Sequence, residues 1–173
     1  RLPLHKAAHI TNDNALRLDW VNVLGRADLL KQGLTLYVLG NPPFVGKKAR
    51  SSKQNEDMEF IFKGLIKNFG VLDYVCAWYA KAAEFIQGTS IQAAFVSTNS
   101  ITQGEQVGVL WQYLFSRGIR INFAHRTFRW SNEARGNAQV YCVVIGFATS
   151  DVLPKRLFDY DTPRAEPMAL AVK

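Results

Sequence analysis

Apolar residues recur along this chain in two periods. Four short, nearly uncharged runs read as strands: "LTLYVL" at 34–39, "IQAAFVST" at 91–98, "IRINFAH" at 119–125 and "AQVYCVVIGFA" at 138–148. The first two look like buried parallel strands, because they lack the polar alternation of a half-exposed sheet. Between them the period changes to that of a helix. In "NEDMEFIFKGLIKNF" (55–69), Met58, Ile61, Phe62, Leu65 and Ile66 share one face, with Gly70 after the end. In "LDYVCAWYAKAAEFIQG" (72–88), Leu72, Val75, Cys76, Tyr79, Ala82, Ala83 and Ile86 do the same, with Asp73 as N-terminal cap and Gly88 as stop. "GEQVGVLWQYLFSRG" (104–118) gives a third helix. Upstream, "AAHIT" and "ALRLDWVNVL" suggest a strand, a turn and a short helix.

Alternation of strands and helices predicts an α/β sheet covered on both faces. One connection departs from simple winding. The segment 126–137 has no apolar helical face and is too short for a crossover, so the strands on either side of it should pair antiparallel. It reads as a polar, basic loop, as does 45–55. The tail from Asp151, with Pro154, Pro163 and Pro167, reads as a short extended piece followed by a linker. The expected division is therefore 1–150 and 151–173.

Composition narrows the class. A chain of 173 residues with 48% apolar content builds one ordinary core. No stretch approaches the roughly 18 to 20 apolar residues of a membrane span, and no signal-peptide layout opens the chain, so it reads as cytoplasmic. Arg1 rather than Met begins it, as in a piece of a longer protein. The net charge of +7 favours a polyanionic partner, although a solvated basic face gives the same total. Cys76 and Cys142 sit among apolar neighbours as small buried hydrophobes. His5, His9 and His125 lack ligand spacing, so no metal is expected.

The segment that carries chemistry is "VLGNPPFVGKK" (38–48). Its prolines stop a strand abruptly, and in open α/β sheets function gathers at the carboxyl ends of strands. The Asn41 side-chain oxygen and the Pro42 carbonyl accept hydrogen bonds, while Pro42 and Pro43 donate none. Two acceptors suit a nitrogen bearing two hydrogens, such as the exocyclic amine of adenine, and Phe44 offers a face for stacking. Holding both hydrogens helps that amine direct its lone pair at an electrophilic carbon. Positioning and fixed dipoles then supply the rate without a strong base.

Asn-Pro-Pro-Phe after an apolar strand resembles the catalytic motif of S-adenosylmethionine-dependent amino methyltransferases, in its adenine-N6 DNA form. "NALRLDW", "YVLGNPPFVGKK", "LDYVCAWYAKAAEFI", "AFVSTNSITQGEQVGVLW" and "HRTFRWSNEARGNAQVYCVVIGF" together resemble the methyltransferase domain of MmeI-like bifunctional restriction-modification enzymes, over most of residues 9–148. The resemblance implies a Rossmann-like methyltransferase sheet, mostly parallel with an antiparallel last strand. It implies S-adenosylmethionine as cofactor, duplex DNA as partner and a flipped adenine as substrate.

By the same resemblance Asn41, Pro42 and Pro43 form the amine-binding corner, and Phe44 stacks on the base. Phe128 or Trp130 in "RTFRW" covers the base's other side, and the sequence does not choose between them. Asn14, with Asp13 beside it, matches the polar residue that touches the cofactor's adenine; an Asx turn accounts for it equally well. Lys47, Lys48, Arg50, Lys53, Arg126, Arg129 and Arg135 form a candidate phosphate-contacting rim from two loops at one sheet edge. Thr98, Asn99 and Ser100 end a strand at that edge, and either line the pocket or cap the next helix.

Two departures qualify the picture. No Phe/Asp-x-Gly-x-Gly segment is present, so the half that holds the cofactor's methionine end is expected upstream, and the 173 residues alone are expected to be inactive. No Pro-Asp with Glu-x-Lys nuclease signature is present, and 151–173 is expected to lead towards a recognition domain downstream in the parent chain. Methylation of a glutamine amide or of a ribosomal-RNA guanine, and a non-catalytic nucleic-acid-binding module, are the other readings of these residues.

Overall fold

In the computed structural model, residues 10–130, 140–162 and 165–172 are described. Two short helices come first: α1 (Trp20–Leu24), whose first amides are capped by the Asp19 carboxylate, and α2 (Arg26–Lys31). Strand β1 (Tyr37–Gly40) leads through the Asn-Pro-Pro segment to α3 (Ser52–Phe62), which opens on a reciprocal Ser51–Gln54 capping box. Then follow α4 (Cys76–Phe85), β2 (Gln92–Thr98), α5 (Gly104–Ser116), β3 (Arg120–Trp130) and β4 (Val140–Ala148). Strands β5 (Lys155–Asp159) and β6 (Met168–Val172) complete the sheet. The tail thus adds two strands where an extended piece and a linker were expected.

The sheet runs β1-β2-β4-β3-β5-β6. Only β1–β2 and β3–β5 are parallel neighbours, while β2–β4, β3–β4 and β5–β6 are antiparallel. The expected antiparallel pairing of the strands flanking 126–137 is present, but the sheet is mixed rather than mostly parallel and does not follow the Rossmann order. The reason is connection length. With no crossover helix after β3, the chain turns back, and β4 inserts between β2 and β3. Residues 149–154 then pass to the far side of β3 and lay β5 parallel to it. Consequently β1, β2, β3 and β5 point the same way, and their carboxyl ends share one rim.

The core lies on one face of this sheet. Tyr79 of α4 is fully buried, packs on Phe95 of β2, Phe147 of β4 and Trp111 of α5, and shares a 2.8 Å hydrogen bond with the Ser97 hydroxyl. Along β2 the residues facing α4 are buried, while Gln92, Ala94, Val96 and Thr98 stay half-buried. Among the described residues, therefore, α4 and α5 pack on one face, not on both as expected, although Cys142, Gly146 and Ala148 on the other side of β4 are buried too. Strand β1 departs further from a buried strand, with Tyr37 61% and Leu39 75% exposed, because it stands at the sheet edge and turns alternate residues away from the helices. Cys76 and Cys142 are both buried and free, as expected.

Two helix boundaries differ from the sequence reading. Helix α3 ends at Phe62, since Lys63 is extended and Gly64 has φ +82°, a region that favours glycine. Leu65 and Ile66 then meet the helix end through amide bonds to the Phe62 carbonyl instead of continuing it. At α4 the carboxylate of Asp73 does not cap. It accepts hydrogen bonds from Ser100 and Thr98 at the end of β2.

Candidate active site at the rim of the sheet

Strand β1 ends where Gly40 lies close against Phe95; a Cβ there would meet that ring at 3.1 Å, a tight contact that the ring would have to yield to. The next four residues then sort by exposure. Asn41 and Pro43 are exposed, Pro42 is buried, and Phe44 is half-buried against the core. Pro42 thus anchors the corner while Asn41 faces outward. The loop is held further on, where the Val45 carbonyl accepts from the Tyr74 amide at 2.9 Å.

An open groove of about 530 Å³ lies beside this corner. Asn41, Pro42 and Pro43 form one wall, and Thr11, Ala15 and Trp20 come from the segment that carries Asp13 and Asn14. The structure therefore brings together two stretches that the sequence reading assigned to one reaction. Phe44, Phe128, Trp130, Asp13 and Asn14 are not part of the groove's lining.

Asn14 is engaged on both sides of its amide. Its Nδ2 donates to Asp57 at 2.9 Å, and its Oδ1 accepts from the Leu16 amide at 3.0 Å, the Asx-type turn weighed above. Asp13 is exposed and accepts from the Asn14 amide. Asp57, on α3, is 4% exposed and also accepts from Arg17 Nε and the Tyr74 hydroxyl, both at 2.6 Å. Burial alone would raise its pKa, but the bonds from Tyr74, Asn14 and Arg17 outweigh it and hold the carboxyl below its ordinary value. Tyr74 joins the two stretches, its amide holding Val45 and its hydroxyl holding Asp57. Sequence reasoning missed Asp57. The signal was an acid adjoining Met58 and lying within the apolar stripe of α3.

The predicted basic rim divides. Lys47, Lys48 and Lys53 are exposed. Arg50 turns inward, donating to the Leu72 and Gly70 carbonyls at 3.1 Å each, and so braces the chain before α4. Arg126 pairs with Asp159 at 2.7 Å, and Arg129 is half-buried. Arg135 lies outside the described residues. Arg126, Phe128, Arg129 and Trp130 extend β3 instead of forming a loop, because the pairing with β4 continues past a register shift between His125 and Phe128. Phe128 then lies across Cys142 from Thr98, with Tyr160 at 5.5 Å and the 43% exposed Trp130 at 6.2 Å. Thr98 and Ser100 bond to Asp73, which ties the end of β2 to the start of α4.

Comparison with known proteins agrees with this arrangement. A family model described as "MmeI, DNA-methyltransferase domain" matches residues 1–159. DNA methyltransferase A of Bacillus subtilis (strain 168) is 44% identical over 165 residues, covering 94% of this chain and 18% of that protein. The structure of the Type IIL restriction-modification enzyme MmeI in complex with DNA superposes with a TM-score of 0.89 and 49% identity, over 100% of this chain and 22% of that one. The chain spans about a fifth of the length of these relatives. Its rim-facing Asn-Pro-Pro-Phe corner, its mixed sheet and these matches lead to one assignment: the chain belongs to the MmeI DNA-methyltransferase domain family.

Proposed function

We propose that this chain is the catalytic part of a larger restriction-modification enzyme that methylates the N6 amine of a flipped adenine in duplex DNA. The observation that carries the reading is the exposed Asn41 on a corner anchored by buried Pro42, at the carboxyl end of β1 and beside an open groove. Asn41 Oδ1 and the Pro42 carbonyl accept the two hydrogens of the amine, fix its orientation and favour the pyramidal form whose lone pair attacks. Pro43 keeps the corner free of competing donors. Phe44, and Phe128 or Trp130 on β3, supply the apolar faces for the extruded base.

S-adenosylmethionine, when bound, supplies a methyl group on a positively charged sulfur. The groove has room for a ligand of that size class, Thr11 and Ala15 line it, and Asn14 between them is the polar contact assigned to the adenine end. The methionine end needs residues that these 173 do not provide. Lys47, Lys48 and Lys53 contribute phosphate attraction, which raises affinity without choosing sequence.

Asn41→Ala in the intact protein tests the reading. Methyl transfer to duplex DNA falls at least about a hundredfold while DNA affinity stays within a few-fold, as expected for a group that acts on the reacting amine. Unchanged methylation overturns the assignment. Parallel assays with ribosomal RNA and with glutamine-bearing protein substrates distinguish DNA from the other planar amino groups.

A further inference from the structure

Asp57 performs no step in the mechanism above, yet it is a nearly buried carboxylate with three side-chain donors from different parts of the chain: Asn14, Arg17 and Tyr74. An ionised carboxylate only accepts hydrogen bonds. The atom of the Asn14 amide that faces it must therefore be the nitrogen, which leaves the Asn14 oxygen turned toward the Leu16 amide. The Leu16 amide holds the oxygen of this exposed asparagine, and Asp57 holds its nitrogen. Here one orientation is selected. One N–H and one lone pair of the amide remain unspent, a donor and an acceptor of the kind that an edge of adenine pairs with.

We propose that Asp57 is a positioning residue that presets the Asn14 amide for the cofactor's adenine. The inference rests on the reading that Asn14 meets that adenine. Arg17 and Tyr74 serve the same end, because Arg17 donates to Oδ1 and Tyr74 to the Oδ2 that Asn14 also meets, which holds the carboxylate still. Arg17 is itself steadied over the Phe60 ring, 4.4 Å from its centroid. Since the Tyr74 amide also holds the Val45 carbonyl, adenine recognition and the amine-binding corner are referred to one residue.

The test uses the intact protein and S-adenosylhomocysteine as probe, with affinity measured by titration calorimetry. Asn14→Ala and Asp57→Asn each weaken binding roughly tenfold, the scale of one lost charge-assisted contact. The double variant is no weaker than the worse single one, since both remove the same preset amide. DNA affinity stays unchanged. A purely structural Asp57 gives a lower Tm with unaltered probe affinity in the folded protein, and additive losses mean the two residues act independently; either result overturns the proposal. If Asp57→Asn fails to fold, Asn14→Ala, an exposed position, decides, and unaltered affinity there also overturns it. Wild-type protein that methylates DNA while these variants bind normally defeats the Asn14 and Asp57 assignments and leaves the methyltransferase reading standing. Wild-type protein that neither binds the probe nor methylates DNA removes the functional reading with it.

Discussion

Asp57 lies in the apolar stripe of α3 and still ends with every donor it needs, because three residues distant in sequence converge on it. Its folded pKa is below the unfolded value, so the ionised form is favoured by folding. The stability it contributes is fully present above the unfolded value near pH 4 and is lost as pH falls through the folded one. Calorimetric unfolding of wild type and Asp57→Asn from pH 6 to pH 3 should therefore give curves that converge below about pH 4. Parallel curves mean that the carboxylate contributes no such linkage. At this scale Asn41 was legible, since its chemistry follows from the two residues after it. Asp57 was not, because nothing local announces donors arriving from Asn14, Arg17 and Tyr74.

At the scale of elements, capping and backbone freedom set boundaries that periodicity misjudged. The apolar spacing of Leu65 and Ile66 continues a helical face, yet Gly64 at positive φ ends α3 and turns their amides to the Phe62 carbonyl, leaving Leu65 exposed. The opposite terminus is secured by Ser51, whose hydroxyl accepts from the Gln54 amide while the Gln54 side chain accepts from the Ser51 amide. Ser51→Ala should cost about 1 kcal/mol in urea unfolding. A loss under a few tenths would show that tertiary packing alone holds this terminus. Helix α3 presents Asp57, so its start and register matter to the site as well as to stability. The extension of β3 through Trp130 shows the converse error: a polar, basic stretch becomes strand because β4 offers it a ladder to join.

Across the whole molecule the open side of the sheet stands out. Strand β1 has no further strand paired to its outer edge among the described residues, and Tyr37 and Leu39 stand exposed on it without charge or proline to blunt the edge. Such an edge is a template for pairing with another chain. The 173-residue chain is expected to self-associate at micromolar concentration, and Leu39→Lys to shift it toward monomer in sedimentation or light scattering. Equal association of both forms would place the contact elsewhere. No helix among the described residues is long and apolar enough to cross a membrane, so this apolar surface is not part of a helical span.

Strands β1 to β4, the three main helices, the Asn-Pro-Pro-Phe corner and the antiparallel return after β3 were determined by the sequence itself. Each depends on residues close together in the chain: apolar periods, proline's missing donor, and a connection too short for a crossover. Only the tertiary structure decided that β4 lies between β2 and β3, that the tail extends the sheet, that Arg50 and Arg126 are already engaged, and that Asp57 accepts from Asn14. Those outcomes depend on which partner a strand edge or a polar atom meets across long separations, and a linear pattern does not specify that choice.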